Sequence, residues 1–266
     1  MKDQQVSVVL VSGGSSGIGA ATARLLAESG ITVYAGSRRG TVEKPAPRII
    51  PIRLDVNDEA SLKSAVEQIV AEQGHLDAVV CNAGNGIFGP IEGATDEEAR
   101  FQFETCLFGS LKTIQACLPV FRRQNFGRIV TITSVMAILQ LPFQGFYSAA
   151  KAALLSVSES LQMELKGTGI ECCSVLPGDV ATGFTAAAQD PGSPYRGRMD
   201  RNLKKIEKDE IGGMQPEVIG KAVCKQLKKK HMAVRVIPRI DYGAVGFLVR
   251  ILPERAKLWL LDLLYS

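Results

Sequence analysis

The sequence predicts one α/β domain in which a doubly wound, seven-stranded parallel sheet carries helices on both faces. Three observations predict this fold. Short, almost entirely apolar runs alternate with longer amphipathic patterns, as buried parallel strands and their crossover helices do. The first apolar run ends in a glycine cluster that leads directly into a helical pattern. No linker, repeat or low-complexity segment divides the 266 residues, so we expect a single domain over residues 1–266.

The composition is that of an ordinary globular protein and argues against several functional classes. Hydrophobic residues make up 46% of the chain and charged residues 22%, which is enough to bury a large core. The net charge of +4 is mild and its basic residues are scattered, so we expect no nucleic-acid partner. The six cysteines show no C-x-x-C spacing and the chain has only two histidines, so we expect no metal site. We expect most of the cysteines to be reduced and buried. The N-terminal apolar run is too short for a signal peptide or a membrane span, so a cytoplasmic protein is expected.

The first strand, residues 6–11, ends in a turn suited to a dinucleotide. Glycines between a buried strand and a helix allow the backbone to approach a pyrophosphate closely. The N–H groups and the positive dipole end of the helix then hold the anion. The residues that form this turn and open the helix are Gly13, Ser15, Ser16, Gly17, Ile18 and Gly19.

The second strand, residues 32–37, leads into Arg38 and Arg39. In a dinucleotide-binding fold the end of this strand faces the adenosine ribose, where an acidic residue binds the 2′-hydroxyl of NAD and an arginine accommodates the 2′-phosphate of NADP. No acidic residue occupies this position. The pattern therefore favours NADP(H) over NAD(H), with a solvated basic turn as the alternative.

The remaining elements follow in the same alternation. Segment 40–48 is short and contains two prolines, so it leaves no room for a full crossover helix. Further strands are predicted at residues 49–54, 76–81, 128–134, 170–176 and 233–237. Amphipathic patterns predict helices over residues 58–73, 96–124 and 147–165.

Ser134, Tyr147 and Lys151 form the candidate catalytic group. Positions i and i+4 of a helix share one face, so the Tyr147 phenol and the Lys151 ammonium can point into one cleft. A phenol has a reference pKa of about 10, and a fixed neighbouring cation favours its phenolate and lowers that pKa. Ser134, at the end of a strand, can hold a carbonyl or carbinol oxygen beside the phenol. These three side chains predict proton transfer in alcohol and ketone chemistry.

Taken together, the motifs resemble the short-chain dehydrogenase/reductase family over the chain to about residue 240. The resemblance rests on the spacing of Gly13, Gly17 and Gly19, on the Tyr147-x-x-x-Lys151 pair, and on the Cys81-Asn82-Ala83-Gly84 run. It implies a Rossmann-like fold and a homodimer or homotetramer. It also implies reversible hydride transfer, in which Ser134 orients the substrate oxygen, Tyr147 exchanges its proton, and Lys151 also binds the nicotinamide ribose.

The resemblance assigns further cofactor contacts residue by residue. It favours Arg38 as the phosphate contact. It also implies that Asp55 accepts a hydrogen bond from the adenine amino group, as the family's aspartate at this position does. The Pro177-Gly178-Asp179-Val180-Ala181-Thr182 run looks like the turn that positions the nicotinamide. The remaining implied cofactor contacts are Val56, Asn82, Ala83, Gly84, Pro177, Gly178, Val180 and Thr182, together with Tyr147 and Lys151.

Cys106 departs from the family pattern. The family has a catalytic asparagine at this position, which supports a helix kink and a water-mediated proton relay to the active-site lysine. A cysteine keeps the main-chain carbonyl but lacks the amide, so the kink and the relay are in question. The alternative is that the Cys106 thiol only fills space.

Two further segments concern the substrate. Residues 183–215 are polar, glycine-rich and the least regular stretch of the chain, and the family places its substrate loop there. Residues 243–265 form an apolar, helical C-terminal segment that Pro253 and charged residues interrupt. This segment either packs against its own domain or a second subunit, or makes peripheral contact with a membrane surface.

The predicted function is NADP(H)-dependent interconversion of a secondary alcohol and a ketone, or of an alcohol and an aldehyde. Residues 141–143, the substrate loop and the C-terminal segment resemble those of 17β-hydroxysteroid and retinol dehydrogenases, which implies an apolar substrate such as a steroid or a retinoid. One alternative is a ketoreductase for small or acyl-linked carbonyls. Another is a nucleotide-binding regulatory protein with weakened catalysis, which Cys106 alone favours.

Overall fold

The computed structural model describes residues 5–182, 187–188, 194–239 and 252–265. A seven-stranded sheet runs through them in the order β3-β2-β1-β4-β6-β7-β9, and every neighbouring pair is parallel. This order confirms the doubly wound sheet. The strands are β1 (Val8–Ser12), β2 (Thr32–Ser37), β3 (Ile49–Arg53), β4 (Ala78–Cys81), β6 (Gly127–Ile132), β7 (Ile170–Val175) and β9 (Arg235–Val236). The short strands β5 (Ile87–Phe88) and β8 (Ala187–Ala188) form a separate parallel pair.

Eight α-helices occur in the described ranges. They are α1 (Gly17–Glu28), α2 (Glu59–Gln73), α3 (Asp96–Phe103), α4 (Gly109–Gln124), α5 (Gly145–Glu164), α6 (Arg196–Ile211), α7 (Pro216–Leu227) and α8 (Glu254–Tyr265). None of these helices combines the length and the hydropathy needed to cross a bilayer.

The sheet separates two apolar clusters because successive strand residues point to opposite faces. Val9 and Val11 of β1 pack with residues of α1 and α7, whereas Val8 and Leu10 pack with residues of α2 and α4. All four side chains are almost completely buried. This two-sided burial explains why the strands are nearly continuous apolar runs.

The cysteines agree with the expectation from composition. All six are buried and none forms a disulfide. Cys117 and Cys172 lie in the α2–α4 cluster, and Cys173 and Cys224 lie in the α1–α7 cluster.

Two predictions about secondary structure require correction. The pattern over residues 96–124 is not one α-helix, because a π-helical segment (Glu104–Phe108) separates α3 from α4. The predicted irregular stretch 183–215 contains the 16-residue helix α6. Parts of that stretch, residues 183–186 and 189–193, lie outside the described residues. Residues 243–251 of the predicted C-terminal segment also lie outside them.

Candidate active site

The glycine turn after β1 leaves room for a ligand beside the start of α1. Gly13 and Gly17 have φ angles of 63° and 52°, which non-glycine residues rarely adopt. A Cβ on Gly19 would lie 2.1 Å from the carbonyl oxygen of Gly13, so only glycine fits there. Within α1, the N-cap residue Ser16 makes no side-chain hydrogen bond and the first turn holds no acidic residue. The helix N–H groups therefore remain available to an anion, as a dinucleotide pyrophosphate requires.

Asn82 ties the glycine turn to the end of β4. Its Nδ2 donates to the carbonyl oxygens of Ser12 and Gly13, each at 3.1 Å. The Ser12 hydroxyl accepts from the backbone N–H groups of Asn82 and Ala83, at 3.0 and 3.2 Å. The structure thus brings the predicted Asn82-Ala83-Gly84 turn against the predicted cofactor turn.

The turn after β7 also reaches the glycine turn. The carbonyl oxygen of Pro177 accepts from the N–H of Val135 at 2.8 Å, and the N–H of Thr182 donates to the Val180 carbonyl oxygen at 2.7 Å. A Cβ on Gly17 would lie 3.4 Å from Cγ2 of Thr182. Gly178 and Val180 follow at the same carboxyl end of the sheet, where open α/β folds bind their ligands.

The predicted adenosine side lies at the ends of β2 and β3. The N–H of Leu54 donates to the carbonyl oxygen of Ser37 at 2.9 Å, which brings Asp55 near Arg38 along adjacent strand ends. Arg38 is exposed, and an Asp55 carboxylate oxygen accepts from the Asn57 N–H at 3.0 Å. Val56 is buried, and a Cβ on Gly109 would lie 2.7 Å from its Cγ2. Val56 therefore packs against α4.

Ser134, Tyr147 and Lys151 meet at the carboxyl end of β6. Ser134 begins a short 3₁₀ turn (Val135–Ala137), and its hydroxyl accepts from the N–H of Met136 at 3.1 Å. The side chains of Ser134 and Tyr147 share a hydrogen bond. Nζ of Lys151 lies 5.7 Å from the Tyr147 ring centroid and donates to the carbonyl oxygen of Ile132 at 2.9 Å. Lys151 is 5% exposed, so its charge is held inside the site.

The acidity of Tyr147 results from opposing effects. Burial raises the pKa of the phenol, while the positive charge of Lys151 and the hydrogen bond with Ser134 lower it. The predicted influence of Lys151 therefore has the expected direction, but burial outweighs it. The neutral phenol is the favoured form, which suits a group that donates a proton to a developing alkoxide.

Cys106 lies in the π-helical segment beside Lys151. A Cβ on Gly84 would lie 3.5 Å from the Cys106 Sγ and 3.6 Å from the Lys151 Nζ, so the thiol and the ammonium flank the same glycine. Nε2 of Gln102 donates to the Cys106 Sγ at 3.1 Å and to the Asn85 carbonyl oxygen at 2.9 Å. The helix is thus widened at Cys106 without an asparagine there, and Gln102 supplies an amide instead.

The carbonyl oxygen of Cys106 has its own partner in the structure. The Ser110 hydroxyl donates to it at 3.0 Å. This bond satisfies at least one of the two acceptor positions of the carbonyl oxygen.

Sequence reasoning missed Glu210. Burial raises the pKa of Glu210 from 4.5 to about 7, and the carboxylates of Asp179 and Glu207 act in the same direction. The charge of Glu210 also acts to raise the pKa of Tyr147, with a smaller effect than burial, Lys151 or Ser134. The N–H of Met214 donates to the Asp179 carbonyl oxygen at 2.9 Å, which holds the end of α6 against the turn after β7. This approach is a tertiary contact, and no local pattern in the sequence reports it.

An aromatic cluster on the substrate side was also missed. The ring of Phe143 lies 5.9 Å from that of Phe88 and 6.3 Å from that of Tyr195, measured between centroids. Phe143 has a φ angle of 62°, which is rare for a bulky residue and tends to occur at functional sites. The sequence indicated residues 141–143 as a substrate feature. It did not predict that Phe143 contacts Phe88 of β5 and Tyr195 at the start of α6, because these contacts depend on the fold.

The comparisons with known proteins agree with this arrangement. The short chain dehydrogenase family model matches residues 7–191. A 3-ketodihydrosphingosine reductase from Bacteroides thetaiotaomicron is 39% identical over 266 residues, covering 97% of this chain and 94% of that protein. Human 17-beta-hydroxysteroid dehydrogenase type 1 is 33% identical over 192 residues, covering 67% of this chain and 58% of that protein.

Solved structures extend the likeness to the fold. The crystal structure of a short-chain dehydrogenase from Streptomyces avermitilis matches with a TM-score of 0.84 and 28% identity, and the match covers 96% of both chains. Other solved structures of this fold include complexes with NAD and with NADP. The family model spans more than half of the chain and the Bacteroides relative nearly all of it. The chain therefore belongs to the short-chain dehydrogenase family of oxidoreductases, which act on CH–OH and C=O groups.

Proposed function

We propose that this protein uses NADPH to reduce the ketone of a long-chain, apolar amino ketone, in a reversible reaction. The observation that carries the proposal is the meeting of Ser134, Tyr147 and Lys151 at the end of β6. A hydroxyl beside a phenol, with a buried cation behind it, is suited to binding a carbonyl oxygen and giving it a proton.

The chain's own residues would act as follows. The Ser134 hydroxyl donates to the substrate carbonyl oxygen and holds it near the Tyr147 phenol. Tyr147 transfers its proton to that oxygen as negative charge develops, and Lys151 stabilises the resulting phenolate. Gly13, Gly17, Gly19 and the N-terminus of α1 would hold the pyrophosphate, and Val180 and Thr182 the nicotinamide end. A bound nicotinamide dinucleotide supplies the hydride.

NADP(H) is the proposed cofactor. Arg38 and Arg39 are both exposed at the end of β2, where an NAD-preferring enzyme would hold an acidic residue. A guanidinium forms charge-assisted bonds with a phosphate, so these side chains favour the 2′-phosphate.

The substrate class is proposed from one relative and one feature of the site. The 3-ketodihydrosphingosine reductase aligns with nearly the whole chain. Its named substrate is a long-chain ketone with an amine on the adjacent carbon, and this amine carries a positive charge near neutral pH. Glu210 supplies a carboxyl group whose charge acts on the phenol, and Phe88 and Phe143 supply apolar surface. An ammonium group next to the reacting ketone would meet this carboxyl group.

A steroid ketone is the second candidate. The human 17-beta-hydroxysteroid dehydrogenase matches over two thirds of this chain, and the aromatic cluster also suits a flat apolar ring system. A steroid carries no ammonium group, so this candidate gives Glu210 no role in substrate binding.

A substrate panel tests the proposal. NADPH and NADH oxidation should be followed with 3-ketodihydrosphingosine, its analogue without the amine, a steroid ketone and a small acyl-linked ketone. We expect the amino ketone to have the highest kcat/KM, exceeding its deaminated analogue by about tenfold or more, the effect of one charge-assisted contact. Glu210→Gln should remove this difference, and Asp209→Asn serves as the neighbouring control.

Each other outcome selects an alternative. Preferred reduction of the steroid would favour the second candidate, and preferred reduction of the small ketone would indicate a general ketoreductase. NADPH binding without reduction of any ketone would indicate the regulatory protein.

A further inference from the structure

We propose that α6 and α8 together form a docking surface for an anionic lipid bilayer. We call this surface the α6–α8 face. It consists of a basic row on α6 and an apolar row on α8, which meet at one ion pair. The proposal concerns where the protein works and does not depend on the identity of its substrate.

The apolar part of the α6–α8 face lies on α8. Leu258, Trp259 and Leu263 are 55%, 65% and 63% exposed, whereas Leu261 on the inner side is 4% exposed. A helix normally turns one apolar side inward and leaves its outer side polar. α8 is apolar on both sides. Large side chains exposed together in this way mark a surface that contacts something apolar.

The basic part lies on α6. Arg201, Lys204, Lys205 and Lys208 are all exposed and occupy positions i, i+3, i+4 and i+7, which share one face of a helix. The buried residues of this helix are Met199 and Asn202 on its other side. Lys205 is paired with Asp209 at 3.0 Å, but the row keeps a net positive charge.

An ion pair joins the two helices on this side of the molecule. Arg198 donates to the Asp262 carboxylate at 2.6 Å. Arg198 lies three residues before Arg201, at the edge of the basic row. Asp262 lies four residues after Leu258, within the exposed side of α8. The basic row and the apolar row therefore share one surface, and the acidic charge nearest to the apolar row is paired.

The chemistry of the α6–α8 face fits an anionic bilayer better than another protein. Basic side chains beside exposed leucines and a tryptophan match phosphate headgroups over acyl chains, and tryptophan favours the boundary between them. The end of α6 also adjoins the turn after β7 in the candidate active site, because the N–H of Met214, three residues beyond α6, donates to the carbonyl oxygen of Asp179 at 2.9 Å. An apolar substrate dissolved in a bilayer would then reach the site without crossing water.

Vesicle binding tests the proposal, and the single tryptophan of the chain is its reporter. Wild-type protein should be sedimented with phosphatidylcholine vesicles and with vesicles that also contain phosphatidylglycerol. Trp259 fluorescence should be recorded in parallel. We expect binding and a blue shift only with the anionic vesicles, weakening as salt is raised.

Two double variants and their controls assign the binding to the α6–α8 face. Lys204→Glu with Lys208→Glu, and Leu258→Asp with Leu263→Asp, should each lower the bound-to-free ratio by about tenfold or more. Lys63→Glu with Lys225→Glu, on exposed parts of α2 and α7, is the charge control. Met163→Asp, at a residue of α5 that is 72% exposed, is the apolar control. Both controls should bind like wild type, and all variants should keep the wild-type circular dichroism spectrum.

Four results would overturn the proposal. The first is that wild-type protein does not bind anionic vesicles, and the second is that it binds both kinds of vesicle equally. The third is that the controls lose binding as strongly as the α6–α8 variants. The fourth is that the leucine variants change the sedimentation coefficient of the free protein, which would assign the face to a second copy of the chain.

Discussion

Nε2 of Gln102 donates a hydrogen bond to Sγ of Cys106, one helical turn further along the chain, at 3.1 Å. The same amide donates to the Asn85 carbonyl oxygen, and the helix between the two residues widens into a π-helical segment. The widening therefore has its own support in this chain. The buried side-chain amide of Gln102 thus contacts position 106 from one turn earlier.

Replacing Cys106 tests whether this support is sufficient. We expect Cys106→Asn to change kcat by less than about tenfold, because the added amide contributes only about 0.5 to 1.5 kcal/mol of net hydrogen bonding. Cys106→Ser is the control that keeps a small donor at this position. The measurement is kcat across pH, because a weakened proton relay would move the basic limb of the profile. A wild type that is nearly inert and gains far more than tenfold from asparagine would support the regulatory alternative.

The cofactor preference depends on Arg38. Arg38→Asp should shift the ratio of kcat/KM from NADPH toward NADH by about tenfold or more. The substitution removes a charge-assisted phosphate contact worth about 1.5 to 3 kcal/mol and adds a repelling carboxylate. Arg39→Asp is the matched control and should change the ratio less. If the wild-type protein already prefers NADH, the absence of an acidic residue after β2 does not indicate a preference for NADPH.

We expect Glu210 to make the free energy of unfolding depend on pH. Its folded-state pKa is raised to about 7 from 4.5, so the folded protein holds a proton that the unfolded chain releases between these values. This contribution to stability is present at low pH and is lost as the pH rises through about 7. We therefore expect Glu210→Gln to have a higher Tm than wild type at pH 8, with the difference vanishing near pH 4.5.

Thermal unfolding across pH checks this expectation. Asp209→Asn is the control. It removes an ion pair with Lys205 and should give no increase in Tm at pH 8. Equal Tm values for wild type and Glu210→Gln at every pH would mean that Glu210 is solvated and ionised normally.

The sequence predicted the sheet, and it also predicted that most residues of the candidate site would lie close together, because these features have local causes. The buried strands are apolar on both sides. Gly13 and Gly19 mark positions where a side chain would contact the neighbouring backbone too closely. Ser134 lies just after a strand end, and Lys151 lies one helical turn after Tyr147. These positions place the three residues together once the order of the strands is known. Position along strands and helices was therefore enough to predict that the three candidate catalytic residues lie together.

The features that were missed have no local signature. In the π-helical segment, Cys106 contacts Gln102, which also contacts Asn85, and the sequence pattern over residues 96–124 was interpreted as one continuous helix. Helix α6 buries only Met199 and Asn202, so its sequence shows almost no apolar stripe. Glu210 acquires its raised pKa from the fold that buries it.

The central claim is that the Tyr147 phenol donates a proton to the substrate oxygen, and Tyr147→Phe tests this claim most directly. The substitution removes the hydroxyl and almost no volume, so NADPH should bind with nearly wild-type affinity. We expect kcat for ketone reduction to fall by about 10² to 10⁴, the contribution of a positioned acid. The measurement is steady-state NADPH oxidation with the preferred ketone, beside NADPH binding by the same variant. A variant that binds NADPH and keeps more than about a tenth of the wild-type kcat would contradict the proposed role of Tyr147.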